Sequence, residues 1–144
     1  MMRLLTHLGG ARATILASFG LILLGGNDRR VGVVALAGNV FSHLLVQVLK
    51  RTVARPRPCD ANGAPLALID LPDPFSFPSG HAAAAFAVAL PIAFAHAWLA
   101  PLVLGLATLV ALSRVTLRVH HLSDVAAGIA LGAGGYLAAT QLVG

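Results

Sequence analysis

The stretch SRVTLRVHHLSD, residues 113–124, places two arginines, two histidines and an aspartate between two runs built almost wholly of Ala, Leu, Val and Gly. Charge of that density ends one hydrophobic segment and opens another, so the stretch reads as a polar junction between two helices sunk in an apolar medium. The rest of the chain identifies that medium as lipid. Of 144 residues, 58% are hydrophobic and 10% charged, with a mean hydropathy of +0.86, far from the balance of soluble domains. Backbone polar groups find no water in a bilayer core, and only helices or closed barrels satisfy them there. The long apolar runs therefore predict an all-α fold, an integral membrane helical bundle with about five transmembrane helices in one domain, residues 1–144.

A crossing takes about 20 helical residues for a core of roughly 30 Å. Residues 122–143 follow the junction and residues 101–113 precede it, the latter short for a full crossing. Further out lie residues 79–98, residues 31–50, and a first segment that starts at Leu4 or Ala11 and ends at Gly25. That first segment is expected to be a retained helix, because no small-residue cleavage site precedes a soluble stretch. GGNDRR (25–30) and the Leu-Ala-Pro at 99–101 mark tight hairpins. Residues 51–78 hold six of the eight prolines and three of the five aspartates, and a loop of that length is usually kept for function. Its apolar patches PLALIDL (65–71) and DPFSF (73–77) suit either a lid resting on the membrane or a surface loop with a buried anchor.

Nine Arg and one Lys against five Asp, with no Glu, give a net charge of +5, which favours an anionic partner. Nucleic acid is not expected, since too little chain lies outside the apolar runs to build a basic reading face. A phosphate group or an anionic lipid fits better. The single cysteine, Cys59, rules out an internal disulfide. If the segments alternate in direction, Lys50, Ser79, Arg114 and Asp124 all end on one membrane face.

Three motifs on that face point to phosphate chemistry. In KRTVARPRP (50–58), Lys50 and Arg57 are joined by a proline-stiffened run, and guanidinium forks suit tetrahedral oxyanions; a basic membrane-flanking patch is the alternative. In FPSGH (77–81), Ser79 is a natural N-cap, Gly80 lets a ligand approach the backbone, and a helix start favours anions. In the opening stretch, Asp124 follows His120 by four residues, one helical turn, so its carboxylate is placed to fix the imidazole tautomer and leave the other ring nitrogen as nucleophile or base. Arg114 would approach from the preceding helix.

Taken in order, Lys50-x6-Arg57-Pro58, Pro78-Ser79-Gly80-His81 and Ser113-Arg114-x5-His120-x3-Asp124 resemble the three-part signature of the type 2 phosphatidic acid phosphatase superfamily, over about residues 31–143. The resemblance implies a lipid phosphatase acting on a phosphomonoester or pyrophosphate, most readily a polyprenyl pyrophosphate or phosphatidylglycerophosphate. It implies His120 as the nucleophile that becomes phosphohistidine, Asp124 as its orienting partner, and His81 as the acid and base. Lys50, Arg57, Ser79, Gly80 and Arg114 would bind the phosphate oxygens, with no metal and no cofactor. A non-catalytic anionic-lipid binder and a lipid phosphotransferase remain alternatives. Family members commonly have six spanning helices, and this chain has room for five.

Outside the signature, Arg55 is a further candidate for holding phosphate, while Arg51, Arg118 and His121 carry no assigned role. Asn39, His43 and Gln47 recur every four residues along one stripe toward Lys50, suited to interhelical hydrogen bonds or to lining a cavity. Gly128 and Gly132 permit close helix packing within the bundle or, as a second option, a homodimer. His96 beside Trp98 reads as an interfacial anchor. With five helices the N-terminus and Arg3 fall on the motif face. The resemblance implies an inner (plasma) membrane location with the site facing the periplasm, although the positive-inside count gives that orientation no support.

Overall fold

The structure, a computed structural model, describes residues 6–71 and 73–143. Arg3 and a helix start at Leu4 lie outside the described residues. Beyond the helical residues 6–8, five helices are defined among the described residues, in order: α1 (Ala11–Leu24), α2 (Gly26–Val53), α3 (Gly80–Ala95), α4 (Ala100–Thr116) and α5 (Leu122–Val143). A single 3-10 turn, Ala97–Leu99, leads into α4. The chain is thus all-helical as expected, with three helices long and apolar enough to span: α2, α4 with its 3-10 start, and α5.

The lengths differ from the sequence expectation in an instructive way. The fourth segment is of spanning length, because the 3-10 turn feeds it and the helix runs through Arg114 to Thr116. The third is the shorter one at 16 residues, about 24 Å at 1.5 Å per residue. Ser79 caps its start, and His96, at φ −129, ends it. The anticipated GGNDRR hairpin contracts to Gly25 and Gly26, both at positive φ, which glycine adopts without steric cost. Asp28, Arg29 and Arg30 are already in the first turns of α2.

The core is made of close backbone approaches. Helix α5 packs on α2 and α3, which also pack on each other, while α1 lies on α2 and α4 on α3. A Cβ on Gly128 would stand 2.4 Å from the Ser79 carbonyl oxygen, one on Gly132 2.4 Å from that of Ala83, and one on Gly135 2.4 Å from that of Gly38. The small-residue stripe is therefore used inside the bundle, against α3 and α2. Leu16, Leu23, Phe94, Trp98, Leu137 and Leu142 point outward, forming an apolar exterior suited to lipid.

Helix α2 ends at Ala54, whose left-handed φ of 47 turns the chain sharply while its N–H donates to Lys50 O at 3.1 Å. Residues 55–58 then run back across the end of the bundle. They pair with the far end of the loop: Pro56 bridges Phe75, and Ser76 N donates to Arg55 O at 2.8 Å. The side chain of Ser76 donates to Pro56 O at 2.9 Å and is fully buried. Of the two sequence readings of this loop, the one with a buried anchor holds at Ser76. On the opposite face, His96 is more than an interfacial anchor, because its Nε2 lies 2.7 Å from Asp28 Oδ1 and ties the end of α3 to the start of α2.

Candidate active site

A cavity of about 380 Å³ opens between α1, α2 and α3. At one end stand Lys50, Arg57, Gly80, His81, Arg114 and His120, residues drawn from all three motifs. Each arrives on a different support. Lys50 closes α2, Gly80 and His81 open α3, Arg114 sits in the last turn of α4, and His120 lies in the short connection to α5.

His120 is 3% exposed. Its Nδ1 lies 2.5 Å from the Ser76 carbonyl oxygen and 3.7 Å from Asp124 Oδ2. A carbonyl only accepts, so the proton sits on Nδ1 and the lone pair on Nε2. The tautomer expected from the His–Asp spacing is thus present, but the group that fixes it is the loop carbonyl. Burial above all, reinforced by the charges of Arg114 and Arg57, pushes the His120 imidazole down to about 3, against the weaker opposing pull of Ser76 and Asp124. At neutral pH its ring is uncharged.

Asp124 is fully buried behind His120 and spoken for by other donors. His121 N reaches Oδ2 at 2.7 Å, His121 Nδ1 lies 3.2 Å from the same oxygen, and Arg55 Nη1 reaches Oδ1 at 2.9 Å. Asp124 faces the His120 ring one turn away as expected, at ion-pair rather than hydrogen-bond distance, and it also holds the surrounding loop. Arg55, the further candidate for holding phosphate, places Nη1 on Asp124 and on Ser123 Oγ at 2.7 Å and does not line the cavity. His121 gains a place in the same cluster.

Ser79 does not line the cavity. Its hydroxyl accepts from Ala82 N at 3.4 Å and its own N–H donates to Asp124 O at 2.9 Å, so it caps α3 and ties that helix to α5. It is the N-cap that its position predicts, with its side chain turned into its own helix. Gly80 lines the cavity as anticipated.

Between the first two cations lies an acid that the motifs do not contain. Asp73 Oδ2 is 2.7 Å from Lys50 Nζ, and its Oδ1 is 3.1 Å from Arg57 Nη2 and 3.0 Å from Phe75 N. Arg57 also donates to Asp73 O at 3.0 Å and to Val119 O at 2.8 Å. Burial alone would raise the Asp73 carboxyl, but Lys50 and Arg57 together hold it below its ordinary range. Burial lowers Arg57 despite that partner. Arg114, 3% exposed, donates to Thr6 Oγ1 from Nη1, and its buried Nε has no hydrogen-bond partner among the described residues. Buried donors are rarely left so, and an oxyanion in the cavity would supply the missing acceptor. No cluster of three His, Cys, Asp or Glu suited to a metal occurs among the described residues.

The polar stripe of α2 divides. Asn39 donates to Thr14 Oγ1 at 3.0 Å, an interhelical bond between α1 and α2. His43 and Gln47 are exposed, bond to each other at 3.2 Å, and line the cavity.

A family model described as the PAP2 superfamily matches residues 31–144. A decaprenylphosphoryl-5-phosphoribose phosphatase from Mycobacterium tuberculosis, represented in strains CDC 1551 and H37Rv, is 43% identical over 119 residues, covering 83% of this chain. The chain spans 64% of the length of these relatives. A PAP2-type phosphatidylglycerolphosphate phosphatase from Bacillus subtilis, known from its crystal structure, superposes with a TM-score of 0.75 at 28% identity. The match covers 98% of this chain and 74% of that one.

Proposed function

The chain belongs to the PAP2 superfamily, and from that membership we propose that it is a membrane lipid phosphatase working through a phosphohistidine. The observation that carries the proposal is the gathering of His120, His81, Lys50, Arg57 and Arg114 around one cavity that continues into apolar lining. A lipid tail would remain in the bilayer while its phosphate enters the basic end. The relatives are named for a polyprenyl-linked phosphoribose and for phosphatidylglycerolphosphate. A phosphomonoester of the polyprenyl phosphate kind is accordingly the favoured substrate.

In the proposed first step the lone pair of His120 Nε2 attacks phosphorus in line with the scissile P–O bond. As the N–P bond forms and P–O breaks, the leaving oxygen takes a proton from the His81 imidazolium, which the bound dianion stabilises. Lys50, Arg57, Arg114 and the N-terminal turn of α3 at Gly80 stabilise the charge on the three non-bridging oxygens. In the second step neutral His81 removes a proton from water, the hydroxide attacks phosphorus, the N–P bond breaks, and phosphate leaves with His120 neutral again. Asp124 stabilises the ring while it carries the phosphoryl group, and the Ser76 carbonyl holds Nδ1–H throughout.

We place the enzyme in the plasma membrane with this site on the extracytoplasmic face, as the family resemblance implies. Setting aside the site cations and Arg55, which pairs with Asp124, leaves Arg12, Arg51 and Arg118 among the described residues on the site face against Arg29 and Arg30, a count that gives this orientation no support.

The test is phosphate release from a panel of lipid phosphates in detergent. His120→Ala and His81→Ala are each expected to lower kcat by at least about 1,000-fold, in line with loss of a nucleophile or of acid–base catalysis. Arg29→Ala, at the far end of α2, is expected to match the parent. Parent-like activity in His120→Ala overturns the mechanism, and tight lipid binding without phosphate release identifies a binder instead.

A further inference from the structure

Of the cations lining the cavity, Arg114 is held differently from the others. Lys50 and Arg57 share the carboxylate of Asp73, whereas Arg114 joins none of the ion pairs among the described residues. Its Nη1 donates instead to the hydroxyl of Thr6, and both residues are 3% exposed. Thr6 precedes residues 31–144, which the family model matches, and none of the three motifs points to it.

The segment that carries Thr6 is pressed onto the site. Gly9 N donates to Thr6 O at 3.2 Å and Gly10 N to His7 O at 3.0 Å, turning the chain from the helical residues 6–8 into α1. Gly9 lines the cavity, and a Cβ on it would collide with Val110 Cγ1, one turn before Arg114, and stand 3.0 Å from His81 O. A glycine is what lets this turn lie so close to α3 and α4, and the contact brings Thr6 to the end of α4. The backbone of Arg114 is fixed too, since its carbonyl oxygen accepts from Val119 N and His120 N, each at 3.2 Å. The long side chain is the part left to order, and a partner that holds it beforehand removes that entropy cost from substrate binding.

Which nitrogen Thr6 takes matters chemically. With Nη1 engaged, the guanidinium keeps its Nε–Nη2 edge, whose two parallel N–H bonds match two oxygens of one phosphate. Nε is buried and has no partner among the described residues. A neutral anchor also leaves the whole positive charge for the incoming anion, which a carboxylate in the same place would offset.

We propose that Thr6 is a positioning residue: its hydroxyl sets the Arg114 guanidinium before substrate arrives, so that the Nε–Nη2 edge meets two non-bridging phosphate oxygens. This rests on the phosphatase reading and adds to the site a group from outside the three motifs.

The test uses the full chain in detergent, with orthovanadate binding followed by calorimetry and phosphate release followed on the lipid phosphate that the parent turns over fastest. Thr6→Val keeps the shape and removes the acceptor. It is expected to weaken vanadate binding and to lower kcat/KM by about 10-fold each, the size of one hydrogen bond to a charged group. Thr6→Ser, which keeps the hydroxyl, is expected to stay within about 3-fold of the parent. Arg114→Ala combined with Thr6→Val is expected to bind vanadate as Arg114→Ala alone does, because the hydroxyl acts only through that arginine. Parent-like behaviour of Thr6→Val, an equal loss in Thr6→Ser, or additive losses in the double variant overturns the assignment. Should Val at this position prevent folding, Thr6→Ala carries the same comparisons. A parent that binds vanadate yet releases phosphate from no lipid overturns the phosphatase reading, and the binding series alone then decides the role of Thr6. A parent that does neither overturns both.

Discussion

Asp73 shows how much a single side chain decides at this site. Its carboxylate bridges Lys50 and Arg57 at 2.7 and 3.1 Å, the separation at which phosphate oxygens would meet the same cations. On the proposed function, an incoming phosphate would compete with an internal anion that is already paired and partly desolvated. Removing the charge while keeping the shape, in Asp73→Asn, is expected to tighten binding of phosphate-like oxyanions, lowering the inhibition constant of inorganic phosphate or vanadate at least 5-fold. Weaker inhibition in the variant would mean instead that Asp73 holds the two cations in place for the substrate. Lys50 and Arg57 were legible from their motif, but Asp73 was not. Nothing in a proline-rich loop states which of its acids will fold back 16 or 23 positions onto a cation.

At the level of elements, the site depends on α5 lying close enough to α3 to bring His120 and His81 to one cavity. That closeness is set by glycine. Gly132 faces the backbone of α3, where even a Cβ would meet the Ala83 oxygen at 2.4 Å, while Gly134 has nothing within 4 Å. Gly132→Val is expected to cost about 1–3 kcal/mol, as overpacking does, and more if the helices are pushed apart. Gly134→Ala is expected to be neutral or slightly stabilising, because Ala is the better helix former. Thermal unfolding in detergent, followed by helical circular dichroism, checks the pair. Similar melting of both variants would show that the α3–α5 contact tolerates separation. The small-residue stripe was readable in advance; its neighbour was not, since sequence spacing cannot say whether a helix packs on its own bundle or on a second copy.

For the molecule as a whole, the five helices alternate so that all three motifs share one end, with the Asp28–His96 pair at the other. Cys59, the chain's single cysteine, is exposed two residues beyond Arg57 and marks the motif face. A membrane-impermeant maleimide applied to intact spheroplasts is expected to label it if the site is extracytoplasmic, as proposed. Labelling only after permeabilisation would place the site on the cytoplasmic side.

The sequence by itself determined the membrane class, the helical fold and the family. Each of these is written locally, in hydropathy run lengths and in motifs whose residues lie within about three helical turns of each other. Tertiary structure alone decided who touches whom. It put Ser76, 44 residues away, on His120 Nδ1, brought Arg55 onto Asp124, tied Ser79 N to Asp124 O, and seated Asp73 between the cations. The physical reason is that hydrogen bonds are directional over about 3 Å. A partner is fixed only when turns such as the left-handed one at Ala54 aim the returning chain, and no local pattern of residues encodes where that chain will land.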